Sequence, residues 1–490
     1  MSIQGALITA ASSLDMQQQQ ANVIAGNIAN ASTPGYVTES MQQLELLYGD
    51  RTGVEGGTIQ RLGNETLEAS ANQTAGQQSY SEAMVNALTT YTQVLGQATD
   101  SSSLPEQFSA FNQALTSLSA NPADASLQSG AVTAAQNLVN TFHTLSSAVA
   151  SGREQADQTI GSDVTTVNQT LDQLAQNQTA LLTASANGQS IATYQDTQDQ
   201  LLSTLSQYVP VKVYTNPNNS ITVTTDQGTT LYDGSVHQLA FTPTPNIPSQ
   251  LQQTADPANG YSGGLSAVTV NGQPIAISQS GDIAAQLQLR DVTLAGFGQQ
   301  LDQLAANTIT AFQQADPTVS SGQTGIFTDN SAAVDPANPA QIPGLAANIA
   351  LNASVDPTQG GNAANIVYGA QATGQTTATG NNGTVLAFIQ AMNTNQSYNA
   401  SGVAGSMTLT NAVSQIAGQQ QEALTTWTAN NTSRTTQAQA AQTALSNATG
   451  VNVDDELQRL ITVQATYAAT TQVIQSITKM LDELTTLTTT

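Results

Sequence analysis

"GNIANASTPGY", Gly26–Tyr36, is the stretch on which the fold turns. Upstream of it Ile3, Leu7, Ala10, Leu14, Gln17, Ala21, Ile24 and Ile28 recur alternately at four and three residues, the spacing of a heptad seam along one helix. The flanks are Gln, Asn and Ser, so this helix lacks the basic polar face of one that lies on a membrane. It cannot run past Pro34, because the residue before a proline is pushed out of the α region, and Pro34-Gly35 suits the two central positions of a type II turn. A lone amphipathic helix so sharply ended points to a partner rather than a substrate.

A matching stripe stands at the other end of the chain: Val453, Leu457, Leu460, Tyr467, Ile474, Ile477, Leu481 and Leu484, interrupted by Gln464 and Thr471. Asp454, Asp455 and Glu456 open it, and carboxylates there cap a helix and complement its macrodipole, a better account of them than a metal site. The two seams are most simply paired with each other. One pair buries few large side chains for its length, so both termini are expected to be mobile in the monomer and to order against neighbouring subunits.

The totals narrow the function classes. A chain of 490 residues has room for two to four domains. Charged residues are 8% of it, and eight Lys plus Arg face 33 Asp plus Glu for a formal net charge of -25, which argues against a sequence-independent grip on nucleic acid. Cysteine is absent, which removes disulfides, thiolate metal sites and cysteine nucleophiles. Neither a cleaved secretory signal nor a run of about 18 apolar residues is visible, so export would need a route that recognises something else.

Both ends together resemble the axial proteins of the bacterial flagellum, whose rod, hook and hook-associated members begin with a helix ending in a motif of the form A-N-I-A-N-x-x-T-P-G-Y. The C-terminal "GVNVDDELQRLITVQATYAATTQVIQSITKMLDEL" resembles their matching terminal helix. Three interior stretches, "LPEQFSAFNQALTSLSANPADASLQSGAVTAAQNLVNTF", "YQDTQDQLLSTLSQYVPVKVYTNPNNSITVTTDQGTTLYDG" and "GDIAAQLQLRDVTLAGFGQQLDQLAANTITAFQQA", are similar in kind and order to the hook-associated protein 1 family. The resemblance implies a structural protein joining hook to filament, assembled helically from copies of itself, with the hook protein, hook-associated protein 3 and a flagellar export chaperone as partners. It also implies an extracellular place at the hook-filament junction, reached by type III export without a cleaved signal peptide. Ile3, Leu7, Leu14, Ile24, Ile28, Leu457, Leu460, Tyr467, Ile474, Ile477, Leu481 and Leu484 would then pack subunits, while Asn27, Asn30, Pro34, Gly35 and Tyr36 would shape the turn. Where that family usually carries arginine, this sequence has Thr38, Gln128 and Gln198. Their loss follows the general shortage of bases and suits an acid habitat, where protonated carboxylates would leave arginines unpaired.

A mainly α fold with a small β insertion is expected, with its inner coiled-coil domain at 1–36 and 452–490. A long-helix domain at 37–206 and 281–451 follows, loop-rich or carrying a small inserted segment at about 316–380, where Pro317, Pro336, Pro339, Pro343 and Pro357 cluster. Residues 80 to 205 have the spacing of two or three long helices. Beyond Tyr208 the period changes to two, with Val211 and Val213 facing Ile221 and Val223 across "NPNN" and a second hairpin at Asn271-Gly272, so 207–280 is expected to be an outer β-rich insertion. Trp427 serves as a core or interface anchor.

Catalysis has little to work with. "GYSGG", Gly260–Gly264, has the Gly-x-Ser-x-Gly pattern but lacks the strand before and helix after Ser262 that a hydrolase elbow needs, and His143 and His237 are the only histidines. No catalytic, cofactor-binding or metal residue is assigned. The rival readings are a hook or distal-rod protein, for which 80–205 is too helical, and a secreted adhesin or an axial-protein-linked peptidoglycan hydrolase.

Overall fold

The computed structural model describes residues 3–48, 51–255, 262–330, 332, 334, 343–373 and 380–488. Pro336 and Pro339, and Gly260 and Tyr261 of the serine motif, lie outside them. The chain begins with α1 (Ile3–Asn30), an antiparallel hairpin of β1 (Glu39–Tyr48) and β2 (Arg51–Arg61), then α2 (Glu65–Leu95), α3 (Leu104–Ala120), α4 (Ala125–Ala186) and α5 (Ala192–Tyr208). The β-rich segment follows: β3 (Val211–Thr215), β4 (Ile221–Thr225), β5 (Thr230–Tyr232), β6 (Leu239–Ala240), β7 (Leu251–Gln252), β8 (Ser262–Gly263), β9 (Thr269–Val270) and β10 (Gln273–Pro274). The chain returns through α6 (Asp282–Gln288), a π turn at Leu289–Thr293 and α7 (Leu294–Ala315). It then runs through β11 (Phe327–Asp329), α8 (Leu345–Asn348), β12 (Ile349–Leu351), α9 (Asn365–Tyr368), α10 (Gly383–Met392), the hairpin β13 (Gln396–Ala400) and β14 (Val403–Met407), α11 (Leu409–Thr449) and α12 (Val453–Thr488). The fold is mainly α with small sheets, as the sequence periodicities imply.

The 62-residue α4 is the spine, about 93 Å long at ~1.5 Å per residue. Asp124 starts it by accepting the Ser126 and Leu127 N–H groups. Its first half buries Ala131, Leu138, Phe142 and Leu145 in a core shared with α2, α3, α7, α10 and α11, where Phe111, Phe312, Phe327 and Phe388 meet at ring-centroid distances of 5.2–5.7 Å. Its second half turns Ile160, Val164, Val167, Leu171 and Leu174 into a separate core with Leu205, Ile221, Val223, Leu231 and Val270. One rigid helix thus carries both the helical body and the β-rich segment.

β3 and β4 pair as Val211↔Thr225 to Thr215↔Ile221, and β9 and β10 turn through Asn271 and Gly272, both at positive φ (52° and 75°), as a type I′ turn requires. Two hairpins lie in stretches expected to be helical. Residues 39–61, counted with the helical domain, form β1–β2, where Gly53, Gly56 and Gly57 disfavour helix. Residues 396–407, counted with the long-helix domain at 281–451, form β13–β14, which turns at Ser401-Gly402 with φ +76° at Gly402, and α11 starts beyond it at Leu409. Between α7 and α10 the loop-rich segment is held by carboxylates. Asp302 accepts the Gly344 and Ala346 N–H groups at 2.7 and 2.8 Å, and Asp316 accepts those of Thr318 and Ala370 at 2.9 and 2.7 Å. Trp427 lies half-buried beside Tyr80 (5.5 Å) with the Arg434 guanidinium over both rings.

A polar knot fastens the β-rich segment to α4. The π turn swings Arg290 into the interior, where its fully buried guanidinium pairs with Asp157 at 2.6 Å and with Asp291 at 2.8 Å and donates to the Ser266 carbonyl at 3.0 Å. Asp157 also accepts the Thr244 N–H, and Arg153 donates to the carbonyls of Arg290 (2.9 Å) and Leu251 (2.7 Å). Three loop strands of the insertion are thereby tied to one helix.

Candidate assembly interface

α1 and α12 pack side by side, joined by a Gln17–Thr470 side-chain hydrogen bond at 3.3 Å. Of the expected seam residues Ile24 and Ile477 are buried. Ile3, Leu7, Leu14, Ile28, Leu460, Ile474 and Leu481 are half-buried, and Leu457, Tyr467 and Leu484 are exposed. Met16 and Val23, one position off the seam, are buried as well. α12 also exposes Ile461 (65%), Val473 and Met480, which the heptad reading missed although their apolar character was visible. At 100° per residue these groups are spread around the helix, and a helix apolar on several sides needs more neighbours than α1 alone provides.

The motif after α1 is a hydrogen-bonded joint. Asn27, fully buried, donates from Nδ2 to the Glu39 carbonyl (2.9 Å) and accepts on Oδ1 the Glu39 N–H (3.0 Å) and the Tyr36 hydroxyl (2.8 Å). Its amide acts as a third strand residue beside β1 and locks the tyrosine that ends the turn. Asn30 donates to the Gly26 carbonyl and accepts the Thr33 hydroxyl. The Tyr36 N–H bonds the Thr33 carbonyl at 3.2 Å with Gly35 at φ +79°, which is the type II turn expected at Pro34-Gly35. Burial first, then the nearby Glu39, Asp196 and Glu456 carboxylates, push the Tyr36 hydroxyl up to about 12, so it stays a donor at any physiological pH.

This joint is docked on the helical body. Gln200 of α5 donates to the Pro34 carbonyl at 3.1 Å, and Thr38 N–H donates to the Thr449 carbonyl that ends α11 at 2.8 Å. Arg61 of β2 pairs with Asp196 at 2.7 Å and Asp199 at 2.6 Å on α5. Burial raises both carboxyls despite that arginine, Asp196 to about 6. A groove of about 1530 Å³ opens between the turn, β2, α2, α5 and β3. Thr38 and Gln198 border the joint, and Gln128 spends its amide on the Pro122 carbonyl at 2.8 Å, a neutral tie where the resemblance leads one to expect an arginine.

Gly35→Ala is expected to destabilise this turn by about 1–2 kcal/mol, because the left-handed conformation is costly for any residue with a Cβ, and that Cβ would also press on Gln200. Faster amide exchange at Tyr36 and Thr38 with an unchanged melting temperature of the body would show it.

The opening carboxylates of α12 stand in its first turn, with Asn452 accepting the Asp454 and Asp455 N–H groups. Glu456 is buried and pairs with Arg459 at 3.1 Å. Ser262 lies exposed in β8. His143 contacts the Ile349 carbonyl at 2.7 Å, and His237 contacts Asp233 and Asn271. No group of three or more metal-ligating side chains occurs among the described residues, and no helix there is long and apolar enough to cross a membrane.

Three family models match the chain: the flagellar hook-associated protein FlgK helical domain over residues 88–326, the flagella basal body rod protein over 7–36, and the C-terminal part of the flagellar basal body rod FlgEFG proteins over 441–487. Flagellar hook-associated protein 1 of Salmonella typhimurium is 27% identical over 248 residues, covering 49% of this chain and 45% of that protein. That of Escherichia coli K12 is 26% identical over 310 residues, 62% and 55% of the two chains. The matched part spans about half the length of these relatives. The flagellar hook junction protein FlgK from Burkholderia pseudomallei is a structural neighbour at 21% identity and a TM-score of 0.43, covering 53% of this chain and 46% of that one. The family models and relatives support a flagellar structural protein of the hook-associated type, which is not an enzyme class.

Proposed function

We propose that the chain is a structural subunit that joins hook to filament, built into a helical ring or tube through α1 and α12. The observation that carries this is α12, which is apolar on more sides than α1 covers. A rod-type match at each end and a FlgK-type helical domain between them favour the junction over a hook or distal-rod place. In this reading the exposed Leu457, Tyr467 and Leu484 and the half-buried seam residues pack neighbouring copies, whereas Ile24 and Ile477 are already buried within the chain. The Asn27–Tyr36 joint sets the angle between the terminal pair and the body, and the β-rich segment lies outside. The hook protein lies on one side, hook-associated protein 3 on the other, and an export chaperone covers α12 before assembly. The place is outside the cell, reached by type III export without a cleaved signal peptide.

Replacing the exposed Leu457 and Leu484 together with serine tests it. Both side chains are exposed, so the melting temperature of the monomer should change little, while incorporation into flagella and swarming should be lost. Gold-labelled antibody should find the wild-type chain at the hook tip. Label spread along the filament, or normal swarming by the double variant, would defeat the proposal. Amide exchange on the free monomer should be fast from residue 3 to 28 and slow only in assembled flagella.

A further inference from the structure

The β-rich segment leaves the helical body after α5 and returns at α6, and the base where it does so is crowded. Gly281 N–H donates to the Gly76 carbonyl of α2 at 2.8 Å. A side chain at Gly281 would strike the Tyr208 carbonyl, and one at Gly76 would strike that of Ser206, so α2, the end of α5 and the returning chain meet backbone to backbone. Two carboxyl groups are set into this joint. Asp163 of α4 is 6% exposed, Asp282 opens α6, and the two lie within hydrogen-bonding reach of each other.

Among the described residues no basic side chain acts on either carboxyl. Asp282 accepts the Gln286 amide at 2.9 Å, whereas Asp163 Oδ2 is buried and receives no N–H or O–H. The other groups acting here are Glu82 of α2 and Tyr208 of α5, both of which add negative charge when ionised. Two ionised carboxylates in contact repel and leave the orphan oxygen without a donor, while one shared proton removes the repulsion and supplies that donor. We propose that Asp163 and Asp282 hold one proton between them and so form a pH-operated latch that ties the base of the β-rich segment to α4.

The direction of its pH response follows. Burial first, then the partner carboxyl, raises Asp163, and burial raises Asp282. A raised carboxyl contributes stability that is complete below its unfolded value near about 4 and is lost as pH rises through the folded value. The latch is closed in acid and opens toward alkaline pH, when the exit of the β-rich segment loosens from α4. Burial also raises Glu39, Glu68, Asp196, Asp199, Asp302 and Asp329, but these are common to the wild type and the variants, so the difference in pH dependence between them belongs to the pair.

The test uses the full chain. Infrared difference spectra of the wild type at about pH 7 should contain the C=O stretch of one protonated carboxyl, and this band should be missing in Asp163→Asn. In reversible denaturant titrations the wild-type folding constant should fall as pH rises, by up to about tenfold per pH unit until the pair has ionised. The fall should be shallower in Asp163→Asn, whose amide gives Asp282 a permanent donor, and in Asp282→Asn, whose amide gives one to Asp163, although burial still acts on the carboxyl that remains. The infrared measurement on the wild type stands even if a variant fails to fold. An absent band, or equal slopes in wild type and variants, would overturn the latch.

Discussion

Arg290→Met should lower the stability of the folded body by about 3–5 kcal/mol, the usual cost of removing one partner from a buried ion pair. The guanidinium and the Asp157 carboxylate are both without solvent contact at 2.6 Å, so the variant leaves a buried carboxylate that keeps the Thr244 N–H but has lost its guanidinium partner. The loss should be regional as well as large. Ser266 loses its donor, Asp291 loses two, and the loop strands that cross α4 come free, so amide exchange should rise first at Thr244 and Ser266. Urea unfolding measures the first effect and exchange the second. Combining Arg290→Met with Asp157→Asn should recover part of the loss, since a neutral amide can still accept the Thr244 N–H. Additive losses in the double variant would mean that the pair is not the source of the stability.

Asn27→Ala should cost roughly 2–4 kcal/mol, confined to the joint, because the Glu39 N–H, the Glu39 carbonyl and the Tyr36 hydroxyl lose their partner at one stroke. The melting of the helical body should barely change, as α1 packs chiefly on the hairpin and α12. Exchange at Glu39 should quicken and incorporation into flagella should fall. Asn27→Asp separates the roles of the amide: a carboxylate can still accept from Glu39 N–H and Tyr36, but it cannot donate to the Glu39 carbonyl. An intermediate defect is therefore expected, and full function in the alanine variant would show that the joint is not needed for assembly.

The two variants also divide what could be seen beforehand from what could not. Asn27 lies in a motif that stands out in the sequence, and Pro34-Gly35 dictates its turn, since φ and the left-handed position are fixed by those two residues alone. Arg290 could be seen only as a charged pair inside a helical pattern. That it faces Asp157, 133 residues away, depends on a π turn that no spacing rule reveals.

By itself the sequence determined the two terminal helices and the carboxylates that open the last one, the two positive-φ turns, and the apolar stripes at both ends, because each rests on the conformational limits of neighbouring residues; the two or three long helices expected over 80–205 are four, α2 to α5. Only the tertiary structure decided that 39–61 and 396–407 pair as strands, that Asp163 meets Asp282, and that α12 keeps apolar groups in water. The reason is physical: burial, contact and exposure belong to segments brought together from far along the chain, and local preference holds no information about which distant face a side chain will meet.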